Sequence, residues 1–332
     1  MKAQSPIHRL TVAALLAAAA SSLCAQELPP AGTLAAETAR DYRAAARYPD
    51  HSQVLAKGQA DPIQEKRTTT AVASGRPQDG PTVSVIGRQI SYEYPATQID
   101  FFATVTGGKV TTIAGEVQNE SGAKVGEIRF FDDGVGVDTK AGDGLYSGRV
   151  EFTARQRPQL ADSYLVQVDA GFASGETRTA VSGFLYSRPH ARLTGRYRDS
   201  IRNGSLVIEA QVEVREAGRF HLAGTLATLQ GSPVGTAQAA QRLEPGKHWI
   251  ALEFYGLMFH DRQVEGQFRL ASLAFSTVTA MPNAWNNLVE NAYVTRPVAL
   301  SALTNQSFNR PDLIDSANRL EVEAAAALLG NQ

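Results

Sequence analysis

The chain has 332 residues, of which 43% are hydrophobic and 20% are charged. This composition supplies enough apolar side chains for roughly two folded domains, so it excludes a wholly disordered chain. The formal charge of −1 at pH 7 gives no overall electrostatic reason to bind nucleic acid, and nucleic acid is not expected as a partner.

The first 25 residues have the pattern of a secretory signal peptide. Lys2 and Arg9 precede the apolar run 10–20, and small residues around Cys24 and Ala25 follow it. A basic flank, a short apolar run and small residues at its end are typical of an export signal. A membrane-spanning helix needs about 20 apolar residues, so no transmembrane segment is predicted.

Export predicts a periplasmic or secreted protein, and the alanine-rich signal is of a bacterial kind. Cleavage after Ala25 removes Cys24, the single cysteine, and leaves a mature chain with no disulfide and no thiol nucleophile. A lipoprotein acylated at Cys24 is the alternative, although Leu23 is larger than the residue that such processing prefers.

Residues 26–80 are predicted to form an extended leader that is partly disordered. The segment is rich in Pro, Ala, Gln and Thr and has few large apolar residues. Only residues 37–47 have a helical pattern, of one or two turns. The residues expected to anchor this leader onto the first domain are Tyr42, Tyr48, Val54, Leu55 and Ile63.

From residue 81 the pattern becomes that of β-strands. Ile99, Phe101 and Ala103 share one face of a strand, and Phe102 breaks the alternation. The other predicted strands are 83–90, 109–118, 123–131, 145–152, 164–170 and 177–186. Short strands with turn signals every 8 to 12 residues are typical of an immunoglobulin-like sandwich, predicted here for 81–188.

The most chemically informative segment is the acidic, glycine-rich loop between two of these strands. Four aspartates interleave with four glycines, namely Asp132, Asp133, Asp138 and Asp143 with Gly134, Gly136, Gly142 and Gly144. Glycine allows the tight backbone turns that bring carboxylates together around calcium, although the spacing is not that of an EF-hand. Plain turn chemistry, in which each Asp bonds its own backbone, is the alternative.

A second sandwich is predicted for residues 189–304. Leu206, Ile208 and Ala210 alternate with polar residues, whereas Val207 is an exception. Asn203-Gly204 precedes this strand as a hairpin signal. Further strands are predicted at 219–229, 234–242, 247–255, 267–277 and 291–301, and residues 305–332 are predicted as a C-terminal helix and tail.

Arginines cluster at the start of this second unit. Arg192, Arg196 and Arg198 share one side of a strand, which makes them a candidate polyanion-binding ladder. Pairing with nearby acidic residues on a solvated face is the alternative.

Local catalytic signatures are missing from the sequence. Its histidines form no zinc motif, and it contains neither a serine-nucleophile elbow nor a phosphate-binding loop. Acid pairs for glycoside hydrolysis cannot be recognised by spacing, because their members lie far apart in a chain.

Two resemblances to known bacterial families add to these patterns. The stretch Asp132-Asp133-Gly134, then Asp138, then 141–146 resembles the loop of choice-of-anchor sandwich domains. Stretches of the second unit resemble the domain-of-unknown-function 4785 family, namely 191–199, 216–222, 243–249 and Met281-Pro282-Asn283. This second resemblance spans roughly 48–320, from Tyr48-Pro49 and Asp61-Pro62-Ile63 onwards. It implies immunoglobulin-like sandwiches in an exported protein, and it implies no activity.

The sequence thus predicts an all-β protein of two tandem immunoglobulin-like sandwiches, with an extended N-terminal leader and a short C-terminal helix. The predicted function is non-enzymatic binding or scaffolding of a protein or glycan partner, with calcium as the candidate ion of the acidic loop. A hydrolase with an active site between the two sandwiches, acting on envelope or host polymers, is the alternative.

Overall fold

The structure is a computed structural model that describes residues 31–65, 72–76, 79–151 and 158–329. The predicted signal peptide, 1–25, lies outside the described residues. The chain divides into two compact units, one made of its ends up to Arg47 and from Asn309, and the other of Tyr48–Phe308. Within the described residues, no helix is long and apolar enough to cross a lipid bilayer.

The described chain includes four α-helices and eighteen strands, with a 3₁₀ helix at Leu300–Ala302. In chain order they are α1 (Ala31–Ala46), β1 (Ser52–Val54), α2 (Pro62–Glu65), β2 (Val72–Ser74), β3 (Thr82–Gly87), β4 (Ser91–Glu93), β5 (Gln98–Thr106), β6 (Val110–Asn119), β7 (Lys124–Phe131), β8 (Leu145–Glu151), β9 (Ala161–Phe172), β10 (Thr177–Ser187), β11 (Ala191–Arg202), β12 (Ser205–Val214), β13 (Gly218–Thr228), β14 (Pro233–Leu243), β15 (Gly246–Phe254), α3 (Leu257–Arg262), β16 (Phe268–Thr277), β17 (Ala284–Trp285), β18 (Val289–Val294) and α4 (Pro311–Leu329).

The first unit is an antiparallel pair of helices. The N–H of Arg310 donates to the carbonyl of Ala46 at 3.0 Å, so the end of α1 meets the start of α4. Farther along, the Arg43 guanidinium binds the carboxylate of Glu321 at 2.7 Å. The expectation of one or two helical turns in the leader was too short, because α1 has 16 residues. Its buried face consists of alanines such as Ala39, which is fully buried. Alanines give a weaker amphipathic pattern than larger apolar residues, so the sequence underestimates the length of the helix.

The first β-sandwich is one nine-stranded sheet that folds back on itself. Its strand order is β2-β3-β5-β8-β7-β6-β9-β10-β4, and β10 also packs against β3 and β2. Ile99, Phe101 and Ala103 of β5 are buried in its core, as their alternation predicts. Phe102 faces the other way, where the Arg88 guanidinium lies 5.1 Å from its ring centre.

The second sandwich consists of two sheets around one core. A six-stranded sheet has the order β1-β14-β13-β16-β17, with β18 also on β16, and a three-stranded sheet has the order β11-β12-β15. The alternate residues of β12 from Leu206 to Val214 point into the core, as predicted. The expected anchorage of the leader on the first domain was wrong for Tyr48 and Val54, which pack into the core of the second sandwich. This segment supplies β1, which pairs with β14 from Ser52 opposite Ala237. The prediction of an all-β fold with immunoglobulin-like sandwiches and a C-terminal helix is confirmed.

Three loops meet closely at one end of the second sandwich. Asn203 and Gly204 have φ of 50° and 73°, so they form the predicted tight turn between β11 and β12. The Gly204 carbonyl accepts the N–H of Thr304 at 2.8 Å. A Cβ on Gly256 would lie 2.2 Å from that same carbonyl oxygen, so only glycine fits there without movement of the backbone.

Candidate metal centre

The acidic loop connects β7 and β8, which are neighbouring antiparallel strands. Phe131 at the end of β7 lies opposite Ser147 in β8, so the loop emerges from paired strands. Gly134, Gly136, Gly142 and Gly144 all have φ between 69° and 82°. This left-handed backbone is one that other residues rarely adopt, which explains why the loop needs these glycines.

Asp132 ties the end of the loop back to its beginning. Its Oδ1 accepts the N–H groups of Gly142 at 2.6 Å and of Asp143 at 3.2 Å. Its Oδ2 accepts the N–H of Gly144 at 3.1 Å. These bonds hold one carboxylate against the backbone ten to twelve residues ahead, so the loop closes around Asp132.

Asp138 is the buried carboxylate of the loop, with 5% of the residue exposed. Its Oδ2 accepts the N–H of Gly134 at 2.6 Å, and its Oδ1 accepts the N–H of Lys140 at 3.2 Å. These backbone donors, Gly134 above all, lower the pKa of Asp138 in spite of the opposing effect of burial. Asp138 therefore stays ionised at neutral pH.

Three of the four predicted aspartates converge. Each of Asp132, Asp138 and Asp143 offers a carboxylate oxygen, and these oxygens all lie within 4.8 Å of one another. Asp133 is exposed and lies outside this group, where its Oδ1 accepts the N–H of Val135 at 2.9 Å. Carboxylates this close repel one another, and a hard cation with oxygen ligands is the chemical partner that such a group suits.

Apolar side chains beside the loop were not singled out by sequence reasoning. Phe131 is 53% exposed and Val135 is 70% exposed. They line a shallow groove of about 320 Å³ together with Val137, Arg129 and Arg149. Phe131 ends a strand on its solvent side, so the alternation of β7 is the signal that could have found it.

The predicted arginine ladder is largely engaged with carboxylates of β12. Arg192 binds Glu213 at 2.6 Å, and Arg198 binds Glu209 at 2.8 Å. The Arg198 guanidinium also lies 4.3 Å from the ring centre of Trp249. Arg196 falls in a bulge of β11 between Leu193 and Tyr197, where the pairing with β12 is interrupted. Polyanion binding at Arg192, Arg196 and Arg198 stays a prediction.

The junction of the two sandwiches contains polar side chains in contact with one another. The Nε2 of His190 lies 3.3 Å from the carboxylate of Glu216, which also binds Arg188 at 3.4 Å. The Glu93 carboxylate accepts the N–H of Asn287 at 3.0 Å. Among the described residues, His190 joins no group of three metal-ligating side chains. The contacts of Arg188 with Glu216 and of Glu93 with Asn287 join residues on either side of position 189.

One family model matches the second sandwich. Residues 190–283 match the C-terminal domain of the domain-of-unknown-function 4785 family. The resemblance stated for the stretches 191–199, 216–222 and 243–249 is thereby confirmed for this segment. The resemblance of the acidic loop to choice-of-anchor domains stays an expectation. A comparison with curated proteins gave no match.

Solved structures with similar folds include three of different kinds. A DUF4785 family protein from Legionella pneumophila is 19% identical, with a TM-score of 0.44, and the match covers 67% of this chain and 57% of that protein. The CBD12 region of CALX1.2 is 8% identical, with a TM-score of 0.23, over 57% of this chain and 79% of that one. A tetra-tandem repeat of a large adhesion protein is 10% identical, with a TM-score of 0.21, over 67% and 57%. At these identities and scores no function is transferred, and the chain spans little more than half of the Legionella protein.

Proposed function

We propose that this chain is a non-enzymatic binding or scaffolding protein whose acidic loop holds a calcium ion. The observation that carries the proposal is the convergence of oxygens from Asp132, Asp138 and Asp143 within 4.8 Å at the tip of a β-hairpin. Three carboxylates provide the negative charge and hard oxygen donors that calcium prefers.

The carboxylates would hold the ion, and the glycines would let the loop fold tightly around it. Calcium takes six to eight oxygen ligands, so backbone carbonyls and water would complete its shell. The contribution of the ion would be electrostatic, because it offsets the repulsion among the three carboxylates. A stiffened loop would then present the exposed side chains of Phe131 and Val135 in one arrangement.

The remaining parts of the proposal concern processing and organisation. We propose removal of residues 1–25, export to the periplasm or the medium, and sandwiches that span 81–188 and 189–304. A protein or a glycan is the proposed partner. Mass determination of the exported protein tests processing, because cleavage after Ala25 leaves Gln26 as the first residue.

Thermal unfolding tests the calcium site. A ligand that binds only the folded state stabilises it by RT ln(1 + [L]/Kd), about 2.7 kcal/mol at a hundredfold excess over Kd. Calcium should therefore raise the melting temperature of the unmodified chain above its value in chelator, and Asp132→Asn should remove most of that rise. Asp133→Asn is the matched control, and it should keep the rise because Asp133 lies outside the cluster. An unmodified chain that melts at one temperature with and without calcium would contradict the proposal.

A further inference from the structure

We propose that the outer edge of β14 binds an extended peptide strand of a partner protein, antiparallel to β14 and in line with β1. β1 already shows that a strand from a distant part of the chain docks on this edge. It pairs with residues 235–237 of β14. The pairing ends at Gln238, whose N–H donates to the His51 carbonyl at 2.8 Å. A partner strand would continue that pairing.

Beyond Gln238, the backbone N–H and C=O groups of alternate residues of β14 point away from β13. Arg242 lies opposite Arg219 of β13, and the Arg219 carbonyl accepts the N–H of Val278 on the far side. In an antiparallel pair the backbone groups alternate in direction, so those of Arg242 and Ala240 point outwards. In the part of the chain that the structure describes, no strand pairs with β14 on this side beyond residue 237. Exposed strand edges of this kind are templates for a further strand.

A groove of about 440 Å³ lies beside this edge. Its lining includes Ala240 of β14, and Val207 and Ala251 on the outward side of the three-stranded sheet. Val207 is 4% exposed although it faces away from the core, which accounts for its break in the alternation of β12. Val207 is thus already covered, and Ala240 and Ala251 are the apolar side chains of the groove that remain accessible to a strand paired with β14.

A short peptide avoids an obstacle that one pairing of two copies of the chain would meet. In the antiparallel register centred on Ala240, two copies of β14 would set Arg242 of one copy against Gln238 of the other, whose N–H is already taken by His51. A short extended peptide meets no such obstacle. Its preferred chemistry is a small or β-branched apolar residue beside Ala240 and Ala251, flanked by polar residues near the His51–Glu253 pair, whose atoms are 3.6 Å apart.

The inference deepens the proposed binding function, and it does not depend on calcium. A library of random twelve-residue peptides displayed on phage, selected on the full chain in chelator, supplies the probe. Selected peptides are then synthesised and their binding is measured by fluorescence anisotropy. Ala240→Pro removes the outward N–H and should weaken binding at least tenfold, whereas Ala240→Val keeps that N–H and should bind as the unmodified chain does.

A second measurement uses the unmodified chain, so it does not depend on how a variant folds. Single N-methyl groups are placed along a selected peptide, and strand pairing predicts that every second one abolishes binding. Enrichment of no peptide, equal binding to Ala240→Pro, or no alternation along the peptide would each overturn the proposal. So would a dimer in sedimentation that Ala240→Pro dissociates, because the occupant would then be a second copy. An intact calcium response in the same preparations would show that only the edge has failed.

Discussion

Glu209 lies on β12 between two guanidinium groups. Arg198 and Arg202 both donate to its carboxylate, and the side chain of Glu209 is 11% exposed. The hydrogen bond from Arg198, followed by that from Arg202, lowers the pKa of Glu209 against the opposing effect of burial. At this site Arg198 and Arg202 pair with a carboxylate of β12, and polyanion binding at Arg192, Arg196 and Arg198 stays a prediction.

The lowered pKa of Glu209 predicts how the stability of the fold depends on pH. A carboxyl group whose pKa is lower in the folded state stabilises the fold above its unfolded pKa of about 4.3. That contribution disappears as the pH falls from about 4.3 towards the folded pKa. Urea unfolding of Glu209→Gln should therefore show a weaker loss of stability on acidification than the unmodified chain. Equal pH slopes in the two proteins would show that the ion pairs contribute nothing.

Individual residues also mark the limit of sequence prediction. The glycines and aspartates of the loop predict a tight turn. Only the folded backbone shows that Asp133 lies outside the group of three aspartates that converge. Val207 is visible as an exception in the alternation of β12, but its place beside β14 depends on contacts between distant strands. The sequence shows that such residues are present, but their roles depend on the tertiary contacts that they make.

At the scale of elements, long strands follow from alternation and short ones do not. β13, predicted at 219–229, differs by one residue at each end from the observed Gly218–Thr228, and the alternate residues predicted to be buried in β5 and β12 are buried. β1 and β17 have three and two residues, so each exists only through its neighbour in the sheet. The unpaired edge of β14 could not be predicted from the sequence either, because it depends on which strands are neighbours in the sheet.

The contact of Gly256 with the β11–β12 turn carries a stability prediction. A Cβ at Gly256 would lie 2.2 Å from the Gly204 carbonyl oxygen and 2.6 Å from the Thr304 nitrogen. Gly256→Ala must therefore move backbone, and we expect a loss of about 1–3 kcal/mol in urea unfolding. Gly183→Ala is the control, because its Cβ would meet only ordinary contacts, the nearest at 3.5 Å. Similar effects of the two substitutions would contradict the close approach.

The helical pair makes a prediction about α1. Ala39 is fully buried, so a leucine there overfills the space beside α4. Ala39→Leu should raise the rate of amide hydrogen exchange in residues 33–46 while exchange in the sandwiches stays unchanged. Glu37→Leu, at an exposed position of the same helix, should leave that rate unaltered. Unchanged exchange in Ala39→Leu would mean that α1 is not packed at Ala39.

At the scale of the whole molecule, three surfaces of the two β-sandwiches are the predicted or proposed sites for partners. These are the acidic loop with its apolar neighbours, the paired arginine face of β11 and β12, and the open edge of β14. Each lies on a strand end, face or edge of a sandwich, and loops and edges of this kind often carry binding functions. The architecture is compatible with a role in binding. Calcium binding at the acidic loop is the central chemical claim of the proposed function.

Isothermal titration of calcium into the metal-free chain tests that claim most directly. The account predicts saturable binding of one ion per chain, at least tenfold weaker in Asp143→Asn and unchanged in Asp133→Asn. An unmodified chain that shows no binding heat at any temperature tried, or equal affinities in the two variants, would contradict it.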